Sequence, residues 1–337
     1  MKRRIALQIP ILLLAAGCGR GGLGAPAIRD GGLGAEVVPD LASGAPDAPE
    51  LAYRQSTQQF VQIVAGGGDE TCGLKSDGSM LCWGNFGDFP VSSAFGTAYV
   101  PRPTSEGWKQ VSPASGFTCG IKNDDTLVCW GNSGFGNMQP PAGTYLAVDA
   151  RAPCAIRLSD GGIVCWGVSQ DWANPVPEGS FKALSIGYAV GCALRTDDTA
   201  VCWGKSRAMA AMGISPDDAF VQIVQGGLFA CGLRGDGQVI CWGSVADWAS
   251  TDTREAPQPQ GTFVQIASCA YAVCGVRTDG TLACWGMVWG LVPPEGSYVQ
   301  VSVGASDDLI SVYFCALRTD GIVVCWGGNY AGESSPP

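Results

Sequence analysis

The chain has 337 residues, 20 Lys+Arg against 30 Asp+Glu, a formal net charge of −10 and no histidine. Charged residues make up 15% and hydrophobic ones 46%, with 49 glycines, which excludes a disordered chain and suits a turn-rich folded domain. The acidity and the lack of any basic run argue against nucleic acid, whose affinity rests on Lys and Arg neutralising phosphates.

Residues 1–17 read as a secretory leader and not as structure. Lys2, Arg3 and Arg4 form a basic start, Ile5 to Leu14 a short apolar run, and Ala15-Ala16-Gly17 a small-residue end before Cys18. The apolar run is too short to span a bilayer. Leu14-Ala15-Ala16-Gly17-Cys18 resembles a bacterial lipobox, although Ala15 stands where that motif prefers Leu. The resemblance implies a lipidated Cys18, with simple leader cleavage as the alternative. Gly19 after it implies the outer membrane or cell surface. Loss of the leader leaves 17 basic residues against 30 acidic. Residues 18–57 are rich in Gly, Ala and Pro and almost free of aromatics, so they read as a flexible tether. About 40 residues of coil have an r.m.s. reach of roughly 35 Å.

Residues 58–337 are repetitive. Cys-Trp-Gly occurs seven times, and another Cys precedes each by ten or eleven residues. Each unit opens on an aromatic residue: Phe60, Trp108, Tyr145, Phe181, Phe220, Phe263 or Tyr298. Strand-like alternation follows, then small residues, the first Cys, a turn, and a second strand ending in Cys-Trp-Gly. Units of this size, strand-rich and Gly-rich, predict an all-β seven-bladed propeller.

The turns carry Asp-Gly at Asp77-Gly78, Asp236-Gly237, Asp279-Gly280 and Asp320-Gly321, with Gly at the left-handed position of a three-residue loop. Asp125 and Asp198 take that position in two units, and Asp tolerates it. One Asp per turn is turn chemistry, not a calcium site. Centring the first turn on Asp77 opposes Cys72 and Cys82 across two antiparallel strands, about 4.5 to 5.5 Å apart at Cα. The same register pairs Cys119 with Cys129, Cys192 with Cys202, Cys231 with Cys241, Cys274 with Cys284 and Cys315 with Cys325. The pair Cys154 and Cys165 spans one extra residue and needs a wider turn or a bulge. Seven such disulfides belong to an oxidising compartment. Zinc is a poor reading without histidine, and no cofactor is implied. Cys269 stands at a small-residue position and reads as a buried inert thiol, with mispairing to Cys274 as the alternative.

The motif Cys-Gly-Leu-x-x-Asp-Gly-x-x-x-Cys-Trp-Gly resembles the regulator of chromosome condensation repeat family, in the Cys-rich version of secreted bacterial proteins. The resemblance covers Phe60 to the C-terminus and implies a seven-bladed β-propeller. The family's Asn-x-x-Gly-Gln-Leu-Gly loop survives only as relics at Asn132-Ser133-Gly134-Phe135-Gly136 and Gly328-Asn329-Tyr330-Ala331-Gly332. Nuclear members exchange nucleotide on a small GTPase and touch chromatin, and an acidic exported chain meets neither. Other bacterial members bind proteins extracellularly, including an inhibitor of β-lactamases. The chain ends where an eighth unit would start, so the ring is expected to close near Phe60.

Function is expected in loops of unequal length on one face. Phe89, Trp172, Met209 and Trp248 share an offset of six from the repeat tryptophan, and Trp289 lies near it. They are the candidate binding residues, with packing between blades as the competing reading. Trp83, Trp130, Trp166, Trp203, Trp242, Trp285 and Trp326 read as structural. Without His the common nucleophile–base pairs are missing, and the acids Asp217, Asp218, Asp307 and Asp308 read as solvated, so no enzyme is expected. The sequence points to a monomeric, lipid-anchored propeller that binds an envelope or extracellular protein. A glycan-binding module and a structural envelope protein are the alternatives.

Overall fold

The computed structural model describes residues 53–67, 70–84, 99–100, 103, 107–132, 139–167, 176–187, 190–204, 217–244, 259–269, 271–286, 288, 291–305, 312–328 and 334–337. Among them are 23 strands in seven sheets, five of three strands and two of four. Three strands of each sheet come from one sequence unit and pair antiparallel in chain order; the first sheet is Gln62–Ala65, Glu70–Leu74 and Met80–Gly84, and the two four-stranded sheets add Tyr99–Val100 outside the second unit and Arg54–Gln59 outside the seventh. The first strands of successive sheets touch one another in a complete cycle that returns from the seventh unit to the first. They therefore ring a central axis, and the architecture is the seven-bladed propeller expected. Among the described residues no helix is long and apolar enough to cross a membrane.

The core is divided into seven clusters, one between each pair of adjacent blades. Strand period explains why Cys and Trp are adjacent in the repeat: successive side chains point to opposite faces. The disulfide of one blade faces the next blade, and the tryptophan faces the previous one. Cys72 and Cys82 thus pack with Trp108 and Trp130 of the second blade. Cys315 and Cys325 pack with Phe60 and Trp83 across the closure. Within a blade the opening aromatic meets the repeat tryptophan, as in Phe60–Trp83 at 5.8 Å and Phe263–Trp285 at 5.4 Å between ring centroids.

All seven predicted disulfides are present. Cys72 is bonded to Cys82, Cys119 to Cys129, Cys154 to Cys165 and Cys192 to Cys202. Cys231 is bonded to Cys241, Cys274 to Cys284 and Cys315 to Cys325. The predicted register holds as well: Leu74 opposes Met80, Cys72 opposes Cys82, Cys119 opposes Cys129 and Cys192 opposes Cys202. The spacing is corrected, because the paired Cα atoms are 3.9 to 4.1 Å apart, closer than the sequence-based distance; Cys119 and Cys129, like Cys192 and Cys202, stand at 4.0 Å. The Lys75 amide bonds the Ser79 carbonyl, so counting back along the ladder places Cys72 and Cys82 at a non-hydrogen-bonded pair, the closer kind. In the third blade the Cys154–Cys165 register is kept by a turn one residue wider, closed by the Arg157 amide on the Gly162 carbonyl. Gly78, Gly237, Gly280 and Gly321 have φ of 82 to 85°, and Asp125 and Asp198 have 67° and 74°.

Three sets of polar contacts join the blades. Each turn offers a carbonyl to the amide of the next blade's opening aromatic, from Gly78 to Trp108 round to Gly321 and Phe60. Nearer the axis, glutamines two residues after the aromatic clasp both amide and carbonyl of a residue in the next blade. Gln110 holds Val148, Gln222 holds Ile266, Gln265 holds Val301 and Gln300 holds Ile63. Two residues further on, Ser112, Ser185 and Ser302 accept the amides of Ala150, Gln225 and Ala65.

The N-terminal strand Arg54–Gln59 pairs with Ile322–Gly327 at the outer edge of the seventh blade. Tether was expected to residue 57, so four of these six residues come from that stretch. The correction has a backbone origin: the strand's side chains are polar, and the edge it covers supplies the hydrogen bonds.

Candidate functional site

The glycine of every Cys-Trp-Gly has a positive φ, from 88 to 154°, at Gly84, Gly131, Gly167, Gly204, Gly243, Gly286 and Gly327. At Gly131, Gly243, Gly286 and Gly327 a side chain would strike the start of the second strand of its own blade. The Cβ would sit 2.4 Å from the Leu228 carbonyl oxygen at Gly243 and 2.3 Å from that of Tyr271 at Gly286. These glycines turn the chain out of the sheet, so the following connections all begin on one face. The candidates Phe89, Trp172, Met209, Trp248 and Trp289 follow these glycines by three to five residues and lie outside the described residues. Asp307, Asp308 and Cys18 also lie outside them.

The opposite face is made by the hairpin turns. In all seven, the turn aspartate accepts the amide two residues on: Asp77 from Ser79, Asp124 from Thr126, Asp160 from Gly162, Asp197 from Thr199, Asp236 from Gln238, Asp279 from Thr281 and Asp320 from Ile322. These bonds are what the aspartates do in the fold. Hydrogen bonds to Ser79, Thr126, Arg157, Thr199 and Thr281 hold the carboxyls of Asp77, Asp124, Asp160, Asp197 and Asp279 below their ordinary 3.8.

A basic residue stands three positions after the first cysteine in every blade: Lys75, Lys122, Arg157, Arg195, Arg234, Arg277 and Arg318. All seven are half-buried. Arg195 lies over the Phe181 ring, 5.2 Å from its centroid, and Arg157 pairs with Asp160 at 2.8 Å. The residue after the opening aromatic is valine in four consecutive blades, Val221, Val264, Val299 and Val61, each at least 41% exposed. It is lysine in the two blades with an aspartate at the left-handed turn position, and Lys109 pairs with Asp125 and Lys182 with Asp198. The sequence carried both series as fixed offsets, visible only once the blades are aligned. Asp218 lies on this side as well, 3.5 Å from Arg234.

Inside the ring, Asp149 and Arg151 form an ion pair at 2.6 Å with side chains 1% and 2% exposed. Burial pushes the Asp149 carboxyl up, opposed by Arg151 and the Ile186 amide. Glu70 sits near the sulfurs of Cys72 and Cys82, but these are bonded to each other and offer no thiolate to a metal. Cys269 is fully buried and disulfide-bonded, which corrects the expected thiol; its partner lies outside the described residues. Cys274 is bonded to Cys284, so the mispairing alternative does not occur.

The family model of the Regulator of chromosome condensation (RCC1) repeat matches residues 220–244, the fifth blade. Among solved structures, the CRINKLY WD40 ectodomain of the Arabidopsis thaliana receptor kinase ACR4 is similar at 22% identity and a TM-score of 0.59, over 78% of this chain and 92% of that one. The entire ectodomain of the Physcomitrella patens receptor kinase CR4 is similar at 23% identity and a TM-score of 0.61, over 80% and 73%. Prp20p of Saccharomyces cerevisiae, described with its binding to Gsp1p and histones, is similar at 15% identity and a TM-score of 0.41, over 81% and 72%. No curated protein sequence matches the chain.

The class of protein is therefore a closed β-propeller of seven disulfide-bearing blades. The fifth blade matches the family model of the regulator of chromosome condensation repeat, and the six other blades carry the same cysteine pair and Cys-Trp-Gly end, so seven repeats of this kind fit the seven sheets.

Proposed function

We propose that this protein is an extracytoplasmic binding propeller, held at the cell envelope by lipid on Cys18, that presents the loop face to a protein partner. One observation carries the reading: equivalent glycines end the blades, and the six connections that join one blade to the next differ in length, from 11 to 23 residues before the next aromatic. A rigid ring with variable loops on one face is how repeat scaffolds are built for binding. The seven disulfides support an oxidising compartment. Lipid on Cys18 and a disulfide from Cys18 exclude one another, and the other fourteen cysteines of the repeats are consumed within blades. The bonded state of Cys269 therefore competes with the anchor, and the mass of the mature protein separates the two.

The test is an affinity capture with the oxidised protein, after its intact mass has been recorded to read the state of Cys18. Wild type is compared with a Trp172→Ala/Trp248→Ala variant of unchanged melting temperature, against envelope and extracellular protein and polysaccharide fractions. The expected result is one protein retained by wild type and lost by the variant. Retention of polysaccharide alone, or capture of nothing, sinks the protein-binding reading. A mass without lipid removes the anchor and leaves the binding face to the capture.

A further inference from the structure

Among the described residues seven large hydrophobic side chains are exposed, and five of them, Val61, Leu158, Val221, Val264 and Val299, belong to the turn face. Single exposed apolar side chains are ordinary on a soluble protein. The four valines are not single. They stand one residue after the opening aromatic in the fifth, sixth, seventh and first blades, whose first strands touch in that order, so they form one arc. Their exposure has a backbone cause. Phe263 opposes Arg277 and Gln265 opposes Val276, so Val264 is the extra residue of a β-bulge, and Val221 and Val299 repeat it. The bulge lets Phe263 and Gln265 both be buried and turns the valine out over the hairpin turn. Val221 Cγ1 lies 3.8 Å from the Cβ position of Gly235 in the turn of its own blade.

The backbone does not require valine there, because Lys109 and Lys182 take the same position in the second and fourth blades. The apolar choice in four consecutive blades is therefore a property of the surface. Around it the charges follow one pattern. Each of the four turns reads basic-x-Asp-Gly, from Lys75 and Asp77 to Arg318 and Asp320, with the basic residue half-buried and the aspartate exposed. An apolar centre with a polar rim is the anatomy of a protein interface. A rim with one charge of each sign per blade gives no net attraction to a uniformly acidic or uniformly basic partner. It matches a surface with the same alternation, and a second copy of this chain carries one. A two-fold interface uses the same patch on both subunits, so self-complementarity is what it needs. Charge elsewhere points the same way. The chain without its leader has 17 basic residues against 30 acidic, and nine of the 17 lie on the turn face. Two such acidic chains repel one another, and this face is where their approach costs least.

We propose that the turn face is a homodimer interface: the valine arc of one copy packs on the arc of a second about a two-fold axis, with the turn aspartates of each copy facing the basic residues of the other. In place of the monomer expected from the sequence, the protein is then a reversible dimer. Both loop faces stay free and point away from each other, so the dimer can join two targets. The patch lies opposite the loops and stands independently of the loop-face reading.

Sedimentation of the mature oxidised chain, produced without lipid and with any free thiol alkylated, tests this between about 1 and about 200 µM. The expected result is a monomer–dimer equilibrium reversed by dilution and weakened at least about tenfold in Val264→Lys/Val299→Lys. That variant places in the arc the residue that two blades already carry at this position, and a two-fold contact counts each substitution twice. Amide exchange of wild type at the two concentrations is expected to slow on association in the turns 235–238 and 278–281, and not in the connection 244–260. A wild type that stays monomeric at about 200 µM overturns the proposal. So does a dimer equally strong in the variant, protection confined to the connection, or an open-ended assembly that grows with concentration. If the variant does not fold, the exchange map of wild type decides alone.

Discussion

Asp149 and Arg151 occupy positions that other blades fill with small or uncharged residues. Position 149 corresponds to Ser112, Ser185 and Ser302, and position 151 to Gly66, Gly187, Gly226 and Gly304. Asp149 does what the serines do, accepting the amide of the next blade, here Ile186 at 2.9 Å. It also brings a charge into the interior, where burial raises the carboxyl and lowers the guanidinium of Arg151. Removing one partner of such a pair strands the other charge, whereas removing both is often neutral. Asp149→Ala is therefore expected to cost roughly 3–5 kcal/mol in urea unfolding. Asp149→Ser/Arg151→Gly, which restores the arrangement of the other blades, should lie within about 1.5 kcal/mol of wild type. A double variant as unstable as Asp149→Ala would mean that the third blade needs the pair for its shape.

At the scale of the strand, the hairpin was legible because its information is local. The spacing from Cys to Cys across an Asp-Gly turn fixes which residues oppose each other, and the observed register is the predicted one. The blade-to-blade contacts were not legible for the opposite reason. Gln222 looks like any strand glutamine until Ile266 is brought beside it from 44 residues away. The paired Cys and Trp faces have the same origin: adjacency in sequence conceals that they serve different interfaces. This arrangement gives the cysteines two roles. Each pair closes a loop of about eleven residues, worth about 3 kcal/mol in the chain-entropy model. Each also lines an apolar contact, as Cys231 and Cys241 do against Phe263. Cys231→Ala/Cys241→Ala is expected to lose about 2–3 kcal/mol by denaturant midpoint. The corresponding Ser pair should lose at least about 1 kcal/mol more, through hydroxyls placed in that cluster. Equal losses would leave loop closure as the whole contribution. The candidate loop residues lie outside the described residues.

Across the whole molecule, five of the seven turns share one pH dependence. Five turn aspartates, Asp77, Asp124, Asp160, Asp197 and Asp279, have folded carboxyls below the ordinary 3.8 because their own turns donate hydrogen bonds to the ionised form. The folded state then binds fewer protons than the unfolded chain in the window below 3.8. Stability from these turns is complete above that value and is lost as pH falls through the folded values. Asp149 has the opposite sign: its raised carboxyl favours the folded state at low pH, and its contribution changes above 3.8. The same turns pass a carbonyl to the next blade's aromatic amide all the way round the ring, so acid weakens the hairpins and the joints between blades together. Melting temperature is expected to fall below about pH 4, with the disulfides still intact. Replacing the five aspartates by asparagine should lower stability at about pH 7 and flatten the acid fall. An undiminished fall in that variant would move the acid sensitivity from the turns to other carboxylates.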